Sequence, residues 1–171
     1  KSGASILVTS CAECLRTWAK DYQSFGGGQL PKIMHMTEYI AEHLPELDLK
    51  ENGNLKVTYQ DPCRLGRQMG IYDPPREVME SLPGVELVEM RHSKQGAQCC
   101  AGGTWSNCDI FAKQIQVDRL REARATGAEV MATACPKCQI HFSCTMKDPL
   151  LKEEIKIEMR DVAELVLDLI S

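Results

Sequence analysis

The residues most able to do chemistry here are five cysteines. Cys99 and Cys100 are adjacent in "GAQCCAGGT", and Cys135 and Cys138 form a C-x-x-C in "ATACPKCQIHF". Cys63 lies in "YQDPCRLGR"; 35 residues separate it from the pair, and 34 separate the pair from Cys135. Adjacent cysteines rarely serve a core, because they crowd two soft, oxidisable atoms at one point. Thiolates select zinc, copper(I) or iron–sulfur clusters. Structural zinc is satisfied by four ligands, and five clustered thiols exceed that number. The metal-free alternatives are a redox disulfide at the pair and a thioredoxin-like dithiol at the C-x-x-C. Cys63 and the adjacent pair argue against the dithiol.

Other residues near these motifs have both a chemical and a structural reading. Gly96, Gly102 and Gly103 let backbone N–H groups approach a cluster's sulfides, and a helix start after Cys63 or Cys135 adds a favourable dipole. Arg64 and Arg67 follow Cys63, as anion binders or as solvated surface arginines. Lys137 tunes the centre by its charge or stays in solvent. His141 and His92 read as surface histidines first. Cys108 and Cys144 fall outside the pattern and are expected to be buried, apolar cysteines. The acidic stretch 153–158 reads as a solvated face.

The chain of 171 residues can bury a substantial core. Its 20 basic and 24 acidic residues give a net charge of −4. With no Lys/Arg run and aromatics at 5%, it carries no nucleic-acid footprint. No apolar stretch approaches the ~18 residues of a bilayer span. Nine cysteines in a chain with ample hydrophobic material favour a reduced, cytoplasmic, metal-binding protein over a disulfide framework. The first residue is Lys rather than Met, so the expectation is a processed product or a piece of a longer polypeptide.

The elements that must position the cysteines alternate in type. Strands are expected at 6–9, in "LPKIMHM", at 55–61, at 85–90, in "AEVMATA" and in "IKIEM". Helices are expected at 15–25, 37–44, from Asp73-Pro74-Pro75 onward, 109–125, 136–146 and at the C-terminus. Gly26 to Gly28 end the first helix, Pro45 ends the second, and Asn52-Gly53 marks a turn. Ile110, Val117 and Leu120, widened by Phe111 and Ile115, give the 109–125 helix its apolar stripe. Asp161 with Glu164 caps the last helix, which buries Val162, Leu165, Val166 and Leu169. This alternation predicts an α/β fold with a mainly parallel sheet flanked by helices. Ligands of such sheets gather beyond the carboxyl ends of the strands, where Cys11, Cys63 and Cys135 all fall.

The sequence also repeats itself. Gly3, Ala4, Thr9, Cys11 and Cys14 match Gly127, Ala128, Thr133, Cys135 and Cys138 without gaps. Downstream, Met36 and Met159 sit at similar distances from their C-x-x-C. Residues 51–171 therefore read as one complete repeat holding the cysteine cluster. Residues 1–50 read as the C-terminal half of a preceding one, with Cys11 and Cys14 either completed by ligands elsewhere or vestigial.

"YQDPCRLGR … QCCAGG … TACPKC" resembles the cysteine-rich CCG domain of heterodisulfide reductase catalytic subunits and related iron–sulfur oxidoreductases. The resemblance covers the whole chain. It implies an oxidoreductase, or an electron-transfer subunit of one. Cys63, Cys99, Cys100, Cys135 and Cys138 would hold an iron–sulfur cluster, a non-cubane [4Fe-4S] centre, with zinc as the alternative. The substrate would be a disulfide, or the task electron relay. Partners would be other redox subunits, or a longer polypeptide supplying ferredoxin-type clusters and the rest of the first repeat. A membrane-bound partner would put the chain at the cytoplasmic face of a complex. A zinc-stabilised interaction domain and a metal-free thiol–disulfide oxidoreductase are the other classes. Two positions depart from the family pattern: Ala101 stands where CCG has glycine, and Gln60 where His-Asp-Pro-Cys has histidine.

Overall fold

The computed structural model describes residues 3–25, 30–51, 53–102 and 109–170. Gly26 to Gly28, Asn52, Gly103 and Cys108 lie outside the described residues. The described strands are β1 (Ile6–Thr9), β2 (Lys32–His35), β3 (Leu55–Gln60), β4 (Val85–Leu87), β5 (Val130–Thr133) and β6 (Glu158–Asp161). The helices before the cysteine pair are α1 (Ala12–Arg16), which continues through a π-helical turn into α2 (Tyr22–Ser24), then α3 (Met36–His43), α4 (Gly66–Met69) and α5 (Pro74–Glu80). After it come α6 (Ile110–Ala125), α7 (Pro136–Thr145), α8 (Lys152–Ile155) and α9 (Val162–Leu167).

β3 to β6 form a four-stranded parallel sheet in the order β4-β3-β5-β6. The chain leaves β3 toward β4 on one side, then returns to β5 on the other. The sheet's topological switch point therefore lies between β3 and β5. Right-handed crossovers send α5 to one face and α6 and α7 to the other. α5 packs with α3 and α9, and α6 packs with α7 and α8. All four residues of β5 are buried, as are the last four of β3, as expected of strands covered on both faces.

β1 and β2 form a separate parallel pair that repeats β5 and β6. Ile6 pairs with Lys32 as Val130 pairs with Glu158, and Thr9 pairs with His35 as Thr133 pairs with Asp161. His35 and Asp161 each cap the next helix in a complete capping box, with Glu38 and Glu164. This register corrects the count that matched Met36 with Met159: Met159 corresponds to Ile33, and Met36 to Val162. Lys50 N–H donates to the Leu169 carbonyl at 2.8 Å, tying the first unit to the last helix.

Several boundaries differ from expectation for local reasons. The first helix begins at Ala12 rather than residue 15, because the Cys11 sulfur accepts the Cys14 N–H and caps it. The fourth strand stops at Leu87, and Val88 N–H makes one further bond to β3. The strand expected in "IKIEM" is shifted toward the C-terminus: Ile155 ends α8, and the ladder runs over Glu158–Asp161. In α6 the expected stripe holds for Val117 and Leu120 and fails for the other three residues. Ile110 (78% exposed) and Phe111 (77%) face out, and Ile115 is also exposed. Ala112, Gln116, Val117, Arg119, Leu120 and Ala123 form the buried face. That face must supply polar groups to the cysteine loop, so hydrophobicity alone misplaces it. Cys144 is exposed because Cys138, Phe142 and Thr145 carry the buried side of α7.

Burial pushes the Asp161 carboxyl up to about 6. A carboxyl raised in the folded state binds its proton more tightly there, so folding stability falls as pH rises from about 4 to about 6. Asp161→Asn keeps an acceptor for the Ala163 N–H without the charge. This variant is expected to be more stable than the parent by about 1–2 kcal/mol at pH 8 and equal to it at pH 3.5. Urea unfolding at the two pH values checks this.

Candidate metal centre

The five cysteines meet at the switch point. Cys63 lies just beyond β3, and Cys135 just beyond β5 as the N-cap of α7. Cys63, Cys99, Cys100, Cys135 and Cys138 line one pocket, with Glu13, Arg64, Lys137 and Gly102 at its walls. Their thiols interact in sequence: Cys63 with Cys99, Cys99 with Cys100, Cys100 with Cys138, and Cys138 with Cys135. The series has a sixth member, because Cys135 also meets Cys11 from the first unit. Among the described residues no three His, Cys, Asp or Glu side chains converge as a site for one metal ion. The sulfurs are instead strung in pairs around the pocket.

Crowding makes the thiols share protons. Cys99 is held far below the usual thiol range, first by Cys100 and then by Cys63, both donating to it. Cys135 is held equally low by Cys11 and then Cys138. The donors shift the other way: Cys63 is pushed up by its bond to Cys99, Cys138 by its bonds to Cys100 and Cys135, and Cys11 by its bond to Cys135. Cys100 is pulled down by Cys138 but pushed up by Cys99 and burial, and settles at about 11. Without a cation, crowding thus favours the thiolate at Cys99 and Cys135 and the thiol at their neighbours. A bound metal supplies positive charge that replaces those protons.

Backbone amides add to this. The N–H groups of Ala101 and Gly102 point at Cys99 and Cys100, and those of Lys137 and Cys138 at Cys135. The last pair opens the ten-residue helix α7, so its dipole favours a thiolate there. Gly102 is required by space: a Cβ would lie 2.7 Å from His141 Cδ2 and 3.2 Å from Cys100 Sγ. His141 thus packs its half-buried ring against the cysteine loop. Ala101 has a φ of +55°. It adopts the left-handed conformation that glycine takes without strain.

The loop carrying the pair is clamped by its carbonyls. Arg67 donates to Ala97 O at 2.6 Å, Gln60 to Gln98 O at 3.0 Å, and Gln116 to Cys100 O at 3.3 Å. Turning these carbonyls away from the pocket leaves the amides that follow free to face the sulfurs. Arg67 thus serves the loop. Arg64 donates to Gln68 Oε1 at 2.9 Å and lies 3.8 Å from Glu13. His92 interacts with Glu122 through Nδ1 at 3.1 Å.

Asp61, between Gln60 and Cys63, anchors the wall. It accepts both terminal nitrogens of Arg76, at 2.8 and 2.9 Å, and the Lys94 N–H at 2.9 Å. Arg76 also binds Glu89 and lies 5.1 Å from the centroid of the Tyr59 ring. Both members of the Asp61–Arg76 pair are almost fully buried.

Contacts between the two units fall on equivalent positions of the repeat. Cys11 meets Cys135, and Glu13 pairs with Lys137 at 3.1 Å. The buried His35 spans the seam. Its Nδ1 accepts the Thr37 N–H at 3.2 Å, so the proton sits on Nε2, which is buried without a hydrogen-bond partner among the described residues, although the backbones of Ala134 and Ser10 lie close enough to act on the ring. Burial lowers its pKa to about 4, leaving the ring neutral.

Sequence reasoning named the five cysteines that the structure gathers at one pocket; it noted Gln60 only as a departure from the family pattern and did not anticipate Gln116, Arg119, Arg76 or the Cys11 contact. One signal was available for the α6 residues: Gln116 and Arg119 interrupt an otherwise apolar series at helical spacing.

The residues fit an iron–sulfur centre on two grounds: an all-thiol donor set around one pocket, and a glycine at its wall, Gly102, where a Cβ would press on Cys100 and His141. Comparison with known proteins bears on the same residues. A family model for the CCG cysteine-rich domain matches residues 57–143. A subunit of the dihydromethanophenazine:CoB–CoM heterodisulfide reductase from Methanosarcina mazei is 33% identical over 98% of this chain and 41% of its own length. A subunit of the fumarate reductase (CoM/CoB) from Methanothermobacter marburgensis is 34% identical over 96% of the chain and 32% of its own. A probable iron-sulfur-binding oxidoreductase from Bacillus subtilis is 30% identical over 97% and 24%. The chain thus spans about two fifths or less of the length of these relatives.

Substitutions at two positions test the wall. Ala101→Gly relieves the left-handed strain and is expected to stabilise by about 0.5–1 kcal/mol, whereas Ala101→Val destabilises by about 2 kcal/mol. Arg76→Met strips Asp61 of its buried partner and is expected to cost about 3–5 kcal/mol. Denaturant midpoints measure both.

Proposed function

This chain belongs to the CCG cysteine-rich domain family, and we propose that it is the cluster-bearing part of an iron–sulfur redox protein. Cys63, Cys99, Cys100, Cys135 and Cys138 hold the centre, a non-cubane [4Fe-4S] cluster. The observation that carries this reading is the unbroken series of interacting thiols around one pocket at the switch point. Such a row of sulfur pairs suits several irons bridged by sulfide better than one tetrahedral ion. The relatives' names point the same way, to iron–sulfur and heterodisulfide reductase proteins.

When bound, the cluster supplies electrons one at a time. The chain's own residues do the rest. The clamped loop and the α7 N-terminus hold amides against the sulfurs. Glu13, Arg64 and Lys137 set the charge at the pocket wall. The substrate is a disulfide, whose reduction to two thiols takes two electrons and two protons. The electrons enter from partner redox subunits, or from another part of a longer polypeptide with ferredoxin-type clusters. The reducing cytoplasm suits so many free thiols, and a membrane-bound donor would bring the chain to that face of a complex. Among the described residues no helix is long and apolar enough to cross a membrane.

We also read residues 1–50 as the latter half of a first repeat and 51–171 as the complete second one. The shared register of β1–β2 and β5–β6 supports this. By that symmetry the outer edge of β1 takes a strand equivalent to β3, and Cys11 and Cys14 serve that first repeat.

The test is anaerobic purification followed by iron, sulfide and zinc analysis, visible absorbance near ~400 nm and EPR. About four irons per chain are expected, lost in Cys100→Ser and retained in Cys144→Ser. A signal altered by thiol substrate supports disulfide reduction; an unresponsive iron signal favours relay. Zinc without iron in protein never exposed to air overturns the redox reading.

A further inference from the structure

We propose that Gln60 is a positioning residue for the Cys99–Cys100 loop, held in its working orientation by the buried guanidinium of Arg119. Both side chains are fully buried, and neither lines the cysteine pocket. Gln60 ends β3, on the strand that leads to Cys63. Arg119 lies on the buried face of α6, on the far side of the loop in sequence.

The hydrogen bonds fix the amide's orientation. Arg119 Nε donates to Gln60 Oε1 at 2.6 Å. The nitrogen of the same amide therefore faces the opposite way and donates to Asp61 O at 3.1 Å and Gln98 O at 3.0 Å. Arg119 is itself held by Glu122 and by the His92 carbonyl, each at 2.8 Å. A rigid line thus runs from Glu122 through Arg119 and Gln60 to the peptide that precedes Cys99.

Only an amide meets every demand at this position. Arg119 needs an acceptor, and two carbonyls need donors. A carboxylate accepts from Arg119 but faces both carbonyls with oxygen. An imidazole offers one acceptor and one donor, enough for Arg119 and the Gln98 carbonyl. An aliphatic side chain serves none of them and leaves Arg119 Nε buried without a partner. The series Gln60→Glu, Gln60→His and Gln60→Leu therefore separates holding Arg119 from holding the loop.

The test compares these variants by backbone hydrogen exchange in anaerobically purified protein. EPR and the reduction potential of the bound centre are the second readout, and urea unfolding controls for the fold. Gln60→Glu is expected to keep the Arg119 contact yet exchange about tenfold faster across residues 97–102, with β5 and α7 unchanged. Its EPR line shape and potential should move with the loop. Gln60→His should return exchange to within about threefold of the parent. Parent-like exchange and EPR in both Gln60→Glu and Gln60→Leu would overturn the proposal. So would acceleration spread evenly over the chain, which marks a merely structural role. The inference concerns the loop rather than the identity of its metal. If the protein holds zinc and no iron, the redox reading falls while the exchange measurement still decides this one.

Discussion

Six sulfurs that interact in one series cannot all ionise unless a cation sits among them. Much of the surrounding structure answers to that constraint. In the protein alone, the thiols of Cys99 and Cys135 are shifted toward the thiolate and those of their neighbours toward the protonated form. The amides of Ala101, Gly102, Lys137 and Cys138 are turned toward the sulfurs, where they favour anionic over neutral thiols. A cationic centre would complete an arrangement that hydrogen bonds only half satisfy.

Holding amides inward requires holding carbonyls outward. Arg67, Gln60 and Gln116 do this from three different elements, so the loop's conformation depends on the relative placement of α4, β3 and α6. Behind that layer stand two buried arginines. Arg76 binds Asp61 and secures the start of the Cys63 turn, and Arg119 binds Gln60. Buried charges of this kind are tolerated only when paired and hydrogen-bonded, and Glu89 and Glu122 complete the pairing. The polar interior follows from the site rather than from the needs of the fold.

The repeat gives the centre its second side. Equivalent positions from the two units face each other across the seam, Cys11 against Cys135 and Glu13 against Lys137. The neutral His35 lies between the two strand ends. A site built by one unit alone would leave Cys135 and Lys137 at an open edge.

The sequence by itself determined the cysteine inventory, the family and the α/β alternation. Each is written locally: in side-chain chemistry, in short motifs, and in apolar strands between capped helices. It also pointed to a repeat, because Gly3 to Cys14 match Gly127 to Cys138 without gaps. It misjudged α6, where Ile110 and Phe111 look like core and Gln116 and Arg119 look like surface. Burial there depends on what the opposing loop demands, and an apolar stripe alone does not encode that. The tertiary structure alone decided that Cys11 joins the series and that Arg67 serves a carbonyl. It also decided that Ala101 takes a left-handed turn and that Gln60 lies between Arg119 and the loop. Apart from the Ala101 turn, these are contacts between segments tens of residues apart, and their geometry exists only once β3, β5 and α6 have packed.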